Sequence, residues 1–243
     1  MLGKTALITG ASSDIGHAIA KALAASGYHL AVHCHHNVPA IQAIHIEAAK
    51  VGVQAECFRY DLTEASGAEA LVQSVFETFG RLDVLVNTIG PFYFKDIGEV
   101  TPAEWAEAIQ LNLHVAFNVT YFAKPHLCSS QGHIINFAFS GVEHLKAWPM
   151  STAYGAAKAG IVVLTKALAV SLAPLGVRVN AICPGLIEAG ESSAPEREEM
   201  ARQIPLGRPG KPDEIADVLT WLVTESPSYL TGALIPVAGA WEY

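Results

Sequence analysis

Tyr154 and Lys158 lie four residues apart, just before a stretch of helical composition at residues 159–168. On a helix, positions i and i+4 share one face, with about 5–6 Å between their Cβ atoms. An ammonium group that close favours the phenolate, so we expect the pKa of Tyr154 to fall below its ordinary value of about 10. Such a tyrosine is a useful general acid or base near neutral pH. Ser140 could bring a hydroxyl to the same reacting oxygen, although a Tyr-x-x-x-Lys pair alone is more often an ordinary helix surface pair.

A glycine-bearing turn follows the first apolar run of the chain. The run Thr5–Ile8 is typical of a buried parallel strand, and residues 17–27 are typical of an alanine-rich helix that ends on glycine. The turn between them, Thr9–Gly16, could present backbone N–H groups and a helix N-terminus to a pyrophosphate. A purely structural tight turn is the alternative. Its position after the first strand of an alternating chain favours the binding role.

Strands alternate with helices along the whole chain. We predict further strands at 30–32, 54–60, 82–87, 132–137, 177–182 and 233–237. We predict further helices at 38–51, 64–79, 102–128, 151–173 and 211–223, the last capped by Asp213. This pattern predicts an α/β fold over residues 1–243, a single-domain, Rossmann-type doubly wound parallel sheet with helices on both faces. Ligands of such sheets bind beyond the carboxyl ends of the strands, where the sequence places Gly10, Cys34, Asp61, Asn87, Ser140 and Pro184.

Composition excludes several classes of function. Of the 243 residues, 51% are hydrophobic and 16% are charged, which is typical of a compact globular protein. The net charge of −8 comes without any basic stripe, so we expect no nucleic-acid partner. No run of 18 apolar residues and no signal peptide is evident, so we expect no membrane span. Four scattered cysteines without a Cys-x-x-Cys motif favour a reducing, cytoplasmic setting.

The order of these motifs resembles the short-chain dehydrogenase/reductase family over essentially the full length of the chain. The motifs are Thr9-Gly10-x-x-x-Asp14-Ile15-Gly16, Asp61-Leu62-Thr63, Asn87-x-x-Gly90, Asn112, Ser140, Tyr154-x-x-x-Lys158 and Pro184-Gly185-x-Ile187. The resemblance implies a nicotinamide-dependent oxidoreductase that acts on a small-molecule carbonyl or alcohol.

The same resemblance implies a role for each matching residue. Tyr154 would exchange a proton with the substrate oxygen, and Lys158 would lower its pKa and hold the nicotinamide ribose. Ser140 would orient the carbonyl or alcohol, and Asn112 would hold a water of the proton relay. The implied cofactor contacts are Gly10, Ser12, Ser13, Asp14, Ile15, Gly16, His35, His36, Asp61, Leu62, Asn87, Gly90, Tyr154, Lys158, Pro184, Gly185 and Ile187. On the substrate side we expect Phe92, Phe94, Trp148 and Leu186, the last at the start of a lid-like segment, 186–206.

Three positions depart from the family pattern. Asp14 stands where the family usually has glycine, and a carboxylate beside a pyrophosphate must point outward or cap the following helix; we expect it to cap the helix. Ala189 stands where a threonine often contacts the cofactor amide. An ungapped alignment would place Phe139 at the serine position. We choose Ser140, because phenylalanine cannot donate a hydrogen bond.

The end of the second strand bears on the cofactor. NAD enzymes place an acidic residue there to bind the ribose 2′-hydroxyl, whereas this chain has Cys34 followed by His35 and His36. These histidines and Ser13 could donate to a 2′-phosphate, so NADP(H) is favoured and NAD(H) is the second possibility. Strand alternation puts His33 and His35 on the face opposite Cys34 and His36, so we expect no metal site.

Several functions remain open. The overall pattern is similar to 3-oxoacyl-[acyl-carrier-protein] reductases, although the acidic chain offers no basic patch for an acidic carrier protein. Pteridine reductases are the alternative, since they also lose the middle glycine and carry Phe-Tyr after the Asn87-like turn. A catalytically retired NADP(H)-binding sensor is the third. Family members usually form tetramers or dimers through the helices that carry Asn112 and Tyr154, so we expect a homotetramer or a dimer.

Overall fold

The computed structural model describes residues 3–34, 38–188, 199 and 201–241. Within these residues, seven parallel strands form one sheet with the order β3-β2-β1-β4-β5-β6-β7. The strands are β1 (Thr5–Thr9), β2 (His29–His33), β3 (Ala55–Phe58), β4 (Val84–Asn87), β5 (His133–Phe137), β6 (Arg178–Pro184) and β7 (Leu234–Val237). The order reverses between β1 and β4, and this confirms the doubly wound α/β fold predicted from the sequence.

Helices cover both faces of the sheet. They are α1 (Asp14–Ala25), α2 (Val38–Lys50), α3 (Ala65–Phe79), α4 (Pro102–Ile109), α5 (Val115–Ser130), α6 (Thr152–Leu172) and α7 (Pro212–Thr224). Successive strand residues point to opposite faces, so Ala6 and Ile8 pack with residues of α1, α2 and α7. Leu7 packs on the other face, with residues of α3, α5 and α6. These two apolar layers make up the core.

The predicted helix 102–128 is interrupted. A π-helical turn, Gln110–His114, separates α4 from α5 and contains Asn112, which is buried. A π-turn inserts one residue into the helical register and often marks a functional site. Composition gives no sign of it, because every residue of the segment is compatible with an ordinary α-helix.

The predicted cap of α7 is wrong. Lys211 occupies the N-cap position, and Asp213 lies inside the first turn. The carboxylate of Glu214 reaches back instead and accepts the backbone N–H of Lys211 at 2.8 Å. The reason is Pro212, whose fixed φ suits the first helical position and moves the boundary one residue ahead of it.

The sequence predicted no membrane span, whereas helix α6 is long and apolar enough to be a candidate for one. The stretch Thr152–Leu175 has a mean hydropathy of 1.6 and is, by length and composition, the one described helix that could cross a membrane. A core helix of a soluble protein passes the same test, and α6 packs against β5 and β6. Its buried residues include Ile161, Thr165 and Ala169.

A chain of buried amides and hydroxyls joins the centre of the sheet to two helices. The Asn87 amide on β4 donates to Asn136 Oδ1 at 2.9 Å and to Thr120 Oγ1 on α5 at 3.2 Å. Asn136 on β5 donates in turn to Thr165 Oγ1 on α6 at 2.9 Å. Because an unpaired buried polar group is costly, this network fixes α5 and α6 relative to the strand ends that carry the site.

Candidate active site

The glycine turn after β1 closes tightly on the start of α1. Gly10 has a left-handed backbone with φ of +66°. Ser13 is the N-cap of α1, and its hydroxyl accepts from the Gly16 N–H at 3.1 Å while it donates to the Gly10 carbonyl at 3.0 Å. A Cβ on Gly16 would lie 2.5 Å from that carbonyl oxygen. The turn therefore requires a residue without a side chain at position 16.

Asp14 is the first residue of α1 and is exposed. The expectation that Asp14 caps the helix is wrong, because Ser13 holds the cap. The exposed position agrees instead with an outward-pointing side chain. Its carboxylate lies in the first turn, where the helix dipole favours negative charge.

A cleft of about 430 Å³ opens between this turn and the ends of β4 and β5. Its lining residues are Ser12, Ser13, Asp14, Ile15, Thr88, Gly90, Phe137, Ile187 and Glu188. The cleft reaches Asn112 and Lys158 through Gly90, where an added Cβ would collide with Asn112 Oδ1 and lie 2.7 Å from Lys158 Nζ. A bare backbone at Gly90 thus keeps the cleft open to both groups.

Lys158 is almost completely buried and points to the end of β5. Its ammonium donates to the Phe137 carbonyl at 2.8 Å and lies 5.6 Å from the centre of the Tyr154 ring. Burial lowers the pKa of Lys158 to about 8, against a smaller opposing effect of Cys183. Most of the amine is still protonated at pH 7, so a positive charge remains beside the Tyr154 ring.

Lys158→Met is expected to stabilise the cofactor-free protein by roughly 2 kcal/mol at pH 7, because the variant no longer buries a charged amine. Between pH 8 and the ordinary lysine value of 10.5, the unfolded chain binds more protons than the folded chain. The stability of the parent protein therefore rises with pH across this window. Thermal unfolding of both proteins should show the advantage of the variant shrinking from pH 8 to pH 10.5. Lys166→Met, on the exposed side of α6, is the control; an advantage that stays constant with pH would contradict the assignment.

Asn112 is held by the π-helical turn against the loop after β4. Its amide donates to the Pro91 carbonyl at 3.2 Å, and its Oδ1 is buried without a hydrogen-bond partner. An orphaned buried acceptor that faces Gly90 and Lys158 is suited to receive a donor from a bound group. The role of Asn112 in a proton relay remains a prediction.

The choice of Ser140 for the catalytic hydroxyl requires correction. Its Oγ is buried and donates to the Trp241 carbonyl at 3.0 Å. The side chain that lies against Tyr154 is Phe139, whose ring stacks on it with 5.4 Å between centroids and 23° between planes. Beyond β5, the N–H groups of Ala138 and Ser140 still bond to the Ile182 and Pro184 carbonyls of β6, at 3.0 and 2.9 Å. Neighbouring residues of such a segment point to opposite sides, so Phe139 faces Tyr154 and Ser140 does not. The ungapped alignment is therefore the one that matches the geometry.

Aromatic rings surround Tyr154 on the substrate side. Phe92 meets the tyrosine edge-on, with centroids 5.1 Å apart, and Phe94 follows 6.1 Å from Phe92. Trp148 meets Phe139 edge-on at 5.3 Å and packs over Gly155, where a Cβ would lie 2.7 Å from the indole. Phe92 and Phe94 are about half exposed. These rings form an open aromatic wall beside the tyrosine.

Three of the remaining predicted cofactor residues lie at the end of β6 or just after it. Ile187 lines the cleft, and the neighbouring Leu186 accepts the Gly210 N–H at 2.9 Å. Gly185 lies so close to Ala238 that a Cβ would be 2.8 Å away. The Pro184 carbonyl accepts the Ser140 N–H at 2.9 Å. This bond fixes the loop after β5 against the end of β6.

Two predicted cofactor side chains take part in hydrogen bonds within the protein. Asp61 Oδ1 accepts the backbone N–H and the hydroxyl of Thr63 at 2.9 and 2.6 Å, which shapes the loop beside buried Leu62. The Asn87 side chain belongs to the buried amide network, and its Oδ1 has no hydrogen-bond partner among the described residues. That Asp61 and Asn87 contact the cofactor stays a prediction.

The region that would discriminate the two nicotinamide cofactors is described only in part. Cys34 is buried at the end of β2, with its Sγ 3.6 Å from Cys57 Sγ. His35, His36, Ala189 and most of the lid-like segment 186–206 lie outside the described residues. The proton of the Ser13 hydroxyl is already committed to Gly10. Among the described residues, no group of three or more histidines, cysteines or carboxylates is arranged for a metal ion.

Sequence reasoning missed three residues of the cleft, Thr88, Phe137 and Glu188. Thr88 donates from its hydroxyl to the Thr9 carbonyl, which joins the ends of β1 and β4. Thr88 and Phe137 lie at or just after the carboxyl ends of β4 and β5, and Glu188 lies in the loop after β6. Their position alone was the available signal, since neither their residue types nor their spacing is distinctive.

The residues present fit a nicotinamide dinucleotide. The cleft combines a glycine cradle at a helix N-terminus, which suits a pyrophosphate, with an orphaned amide oxygen and a buried ammonium at its inner end. The ammonium there and the phenol of Tyr154, whose ring centre lies 5.6 Å from it, can move a proton, and neither can transfer a hydride. The chain therefore supplies the binding and the acid–base chemistry that such a cofactor needs.

Comparison with known proteins agrees with this arrangement. Residues 10–240 match the family model described as enoyl-(acyl carrier protein) reductase. The chain is 35% identical over 240 residues to the 3-oxoacyl-[acyl-carrier-protein] reductase FabG of Staphylococcus aureus, covering 97% of both proteins. The crystal structure of a dehydrogenase/reductase from Sinorhizobium meliloti 1021 is similar, with a TM-score of 0.91 and 33% identity over 98% of this chain and 95% of that one. The crystal structure of the acetoin dehydrogenase YohF from Salmonella typhimurium is also similar, with a TM-score of 0.88 and 31% identity over 98% of this chain and 95% of that one. With the cleft, the Tyr154–Lys158 pair and the sheet order, these similarities identify the chain as a member of the short-chain dehydrogenase/reductase family of nicotinamide-dependent oxidoreductases.

Proposed function

We propose that this protein is an NADP(H)-dependent reductase of 3-oxoacyl thioesters, with Tyr154 as the general acid. The observation that carries the proposal is the pairing of Tyr154 with buried Lys158, whose ammonium lies beside Gly90 and Phe137, two residues that line the cleft. The S. aureus relative named as a 3-oxoacyl-[acyl-carrier-protein] reductase supports the substrate class. When bound, the reduced nicotinamide supplies a hydride to the substrate carbon.

The chain's own residues handle the proton and the position of the substrate. Tyr154 delivers the proton to the carbonyl oxygen as negative charge develops there. Lys158, held by the Phe137 carbonyl, keeps a positive charge near the tyrosine and favours its deprotonated form after the transfer. Asn112, with its orphaned Oδ1 near Lys158, is the next acceptor along the path by which the proton is replaced.

The preference for NADP(H) is part of the proposal. Cys34 stands where NAD enzymes place a carboxylate, and it leaves no negative charge at that position to repel a 2′-phosphate. His35 and His36 follow it as possible donors. A comparison of Kd for NADPH and NADH by quenching of protein fluorescence tests this point, and tighter binding of NADH would overturn it.

The function is tested with purified protein, NADPH and acetoacetyl-CoA. We expect the absorbance of the reduced nicotinamide to fall at a rate proportional to enzyme concentration. Binding of NADPH without turnover of this thioester or of any carbonyl in a wider panel would favour the third alternative, a retired NADP(H)-binding sensor.

A pteridine reductase is the second candidate. The half-exposed ring of Phe92 beside Tyr154 favours it, because a planar heterocycle could stack on that ring. Faster consumption of NADPH with dihydrobiopterin than with acetoacetyl-CoA would establish this function in place of the first.

We also propose that the protein is a homotetramer, with a dimer as the smaller alternative, in the cytoplasm. Large apolar side chains are exposed on α5 and α6, among them Phe117, Tyr121, Val163 and Val170, the last 80% exposed. All four cysteines are free thiols, in keeping with a reducing compartment. Light scattering at micromolar concentration should give about four times the chain mass of 25.8 kDa, and a monomer would contradict the proposal.

A further inference from the structure

Phe139 places a hydrocarbon ring beside Tyr154, where it offers no hydrogen-bond donor to a substrate oxygen. Its ring lies nearly parallel to the tyrosine ring, with 5.4 Å between centroids, and it is 6% exposed. Trp148 holds it from the other side, edge-on at 5.3 Å. Trp148 packs in turn against Gly155, in the first turn of α6, where no side chain is present to displace it. Phe139 is therefore a fixed part of the site.

The neighbouring hydroxyl is committed elsewhere. Ser140 Oγ donates to the Trp241 carbonyl at 3.0 Å and is buried, and its backbone N–H is bonded to Pro184 at 2.9 Å. A turn of the Ser140 side chain toward Tyr154 would break the first bond and so lose a buried hydrogen bond. The backbone bond holds the loop in the register that presents Phe139 to the tyrosine.

A missing donor has a large effect on carbonyl chemistry. As a hydride reaches a carbonyl carbon, negative charge develops on the oxygen, and removal of one preorganised donor to such an oxygen typically costs about 10²–10³-fold in kcat. A carbonyl carbon that already bears an electron-withdrawing neighbour needs less of this help. A simple ketone needs all of it.

We propose that Phe139 is a specificity-determining residue that restricts the enzyme to activated carbonyls, those with a second carbonyl attached directly or one carbon away. The inference rests on the proposed function, since it takes Tyr154 as the proton donor. 3-Oxoacyl thioesters belong to this class and simple ketones do not.

The test compares 2,3-butanedione with 2-butanone, two ketones of nearly the same size that differ in activation. With the parent enzyme, we expect kcat/KM for 2,3-butanedione to exceed that for 2-butanone by at least about 100-fold. Phe139→Ser should raise kcat/KM on 2-butanone by about 10-fold or more and change the value for 2,3-butanedione much less. Phe139→Ala is the matched control, because it opens the same space without a hydroxyl and should give no such gain.

The outcomes separate this inference from the proposed function. The Kd of NADPH, measured by fluorescence, should be unchanged in both variants. Equal effects of serine and alanine on the substrate ratio would overturn the role of Phe139. Should both variants fail to fold, the parent ratio still decides, because a ratio below about 10 would overturn the inference. An enzyme that reduces acetoacetyl-CoA but not 2,3-butanedione also overturns it, whereas failure on every carbonyl overturns the proposed function instead.

Discussion

Tyr154→Phe is expected to lower kcat on acetoacetyl-CoA about 10³-fold or more while the Kd for NADPH stays within about twofold. The variant removes the one atom that delivers the proton and keeps the ring. Phe92 and Phe139 pack against that ring, 5.1 and 5.4 Å away between centroids, so the local packing should survive. Steady-state turnover and fluorescence titration of NADPH measure the two quantities separately.

The control for this variant is Tyr229→Phe, which removes a hydroxyl from a side chain that is 98% exposed. It should leave both kcat and Kd unchanged. If Tyr154→Phe weakened NADPH binding as much as turnover, the tyrosine would be a structural element of the cleft and not the proton donor.

Gly16→Ala is expected to weaken NADPH binding by about 100-fold or more and to destabilise the protein by several kcal/mol. The new Cβ would lie 2.5 Å from Gly10 O and 2.8 Å from Ala11 Cα. Both contacts are backbone atoms, so the methyl group can be accommodated only if the turn opens. Opening the turn would also disturb the Ser13 cap, whose hydroxyl joins Gly10 to Gly16.

The matched control is Gly27→Ala, at the other end of α1. A Cβ there meets nothing within 4 Å, but Gly27 has φ of +83°, which an L side chain rarely adopts. It should lower Tm, through a cost of about 1 kcal/mol, and leave NADPH affinity intact. Loss of affinity in both variants would show that binding follows global stability and not the shape of the turn.

The alternation of strands and helices predicted the sheet because burial on both faces of parallel strands leaves a plain pattern. The runs around Ile8, Val86 and Ile135 are apolar on both faces, as the centre of such a sheet requires. The Tyr154–Lys158 pair and the glycine turn were also predictable, since their chemistry depends on spacing within one helix or one turn.

The errors have a different physical origin. Whether Phe139 or Ser140 faces Tyr154 depends on the register of a loop that Pro184 and Trp241 fix from far away in the sequence. The π-helical turn at Asn112 is likewise set by tertiary packing, because no local residue demands it. The buried hydrogen bonds of the Asn87 side chain were also not predicted, because its partners lie on α5 and β5, far from it in the sequence.

The hydrogen bond from Ser140 to Trp241 spans 101 residues of chain. During synthesis, Ser140 emerges well before Trp241, its hydrogen-bond acceptor, has been made. Strand β7, which precedes Trp241, is the last strand of the sheet to be made. Contacts so distant in sequence close late, because the entropy of joining the ends must be overcome first. The aromatic surroundings of Tyr154 can therefore reach their final order only after the chain through Trp241 has left the ribosome.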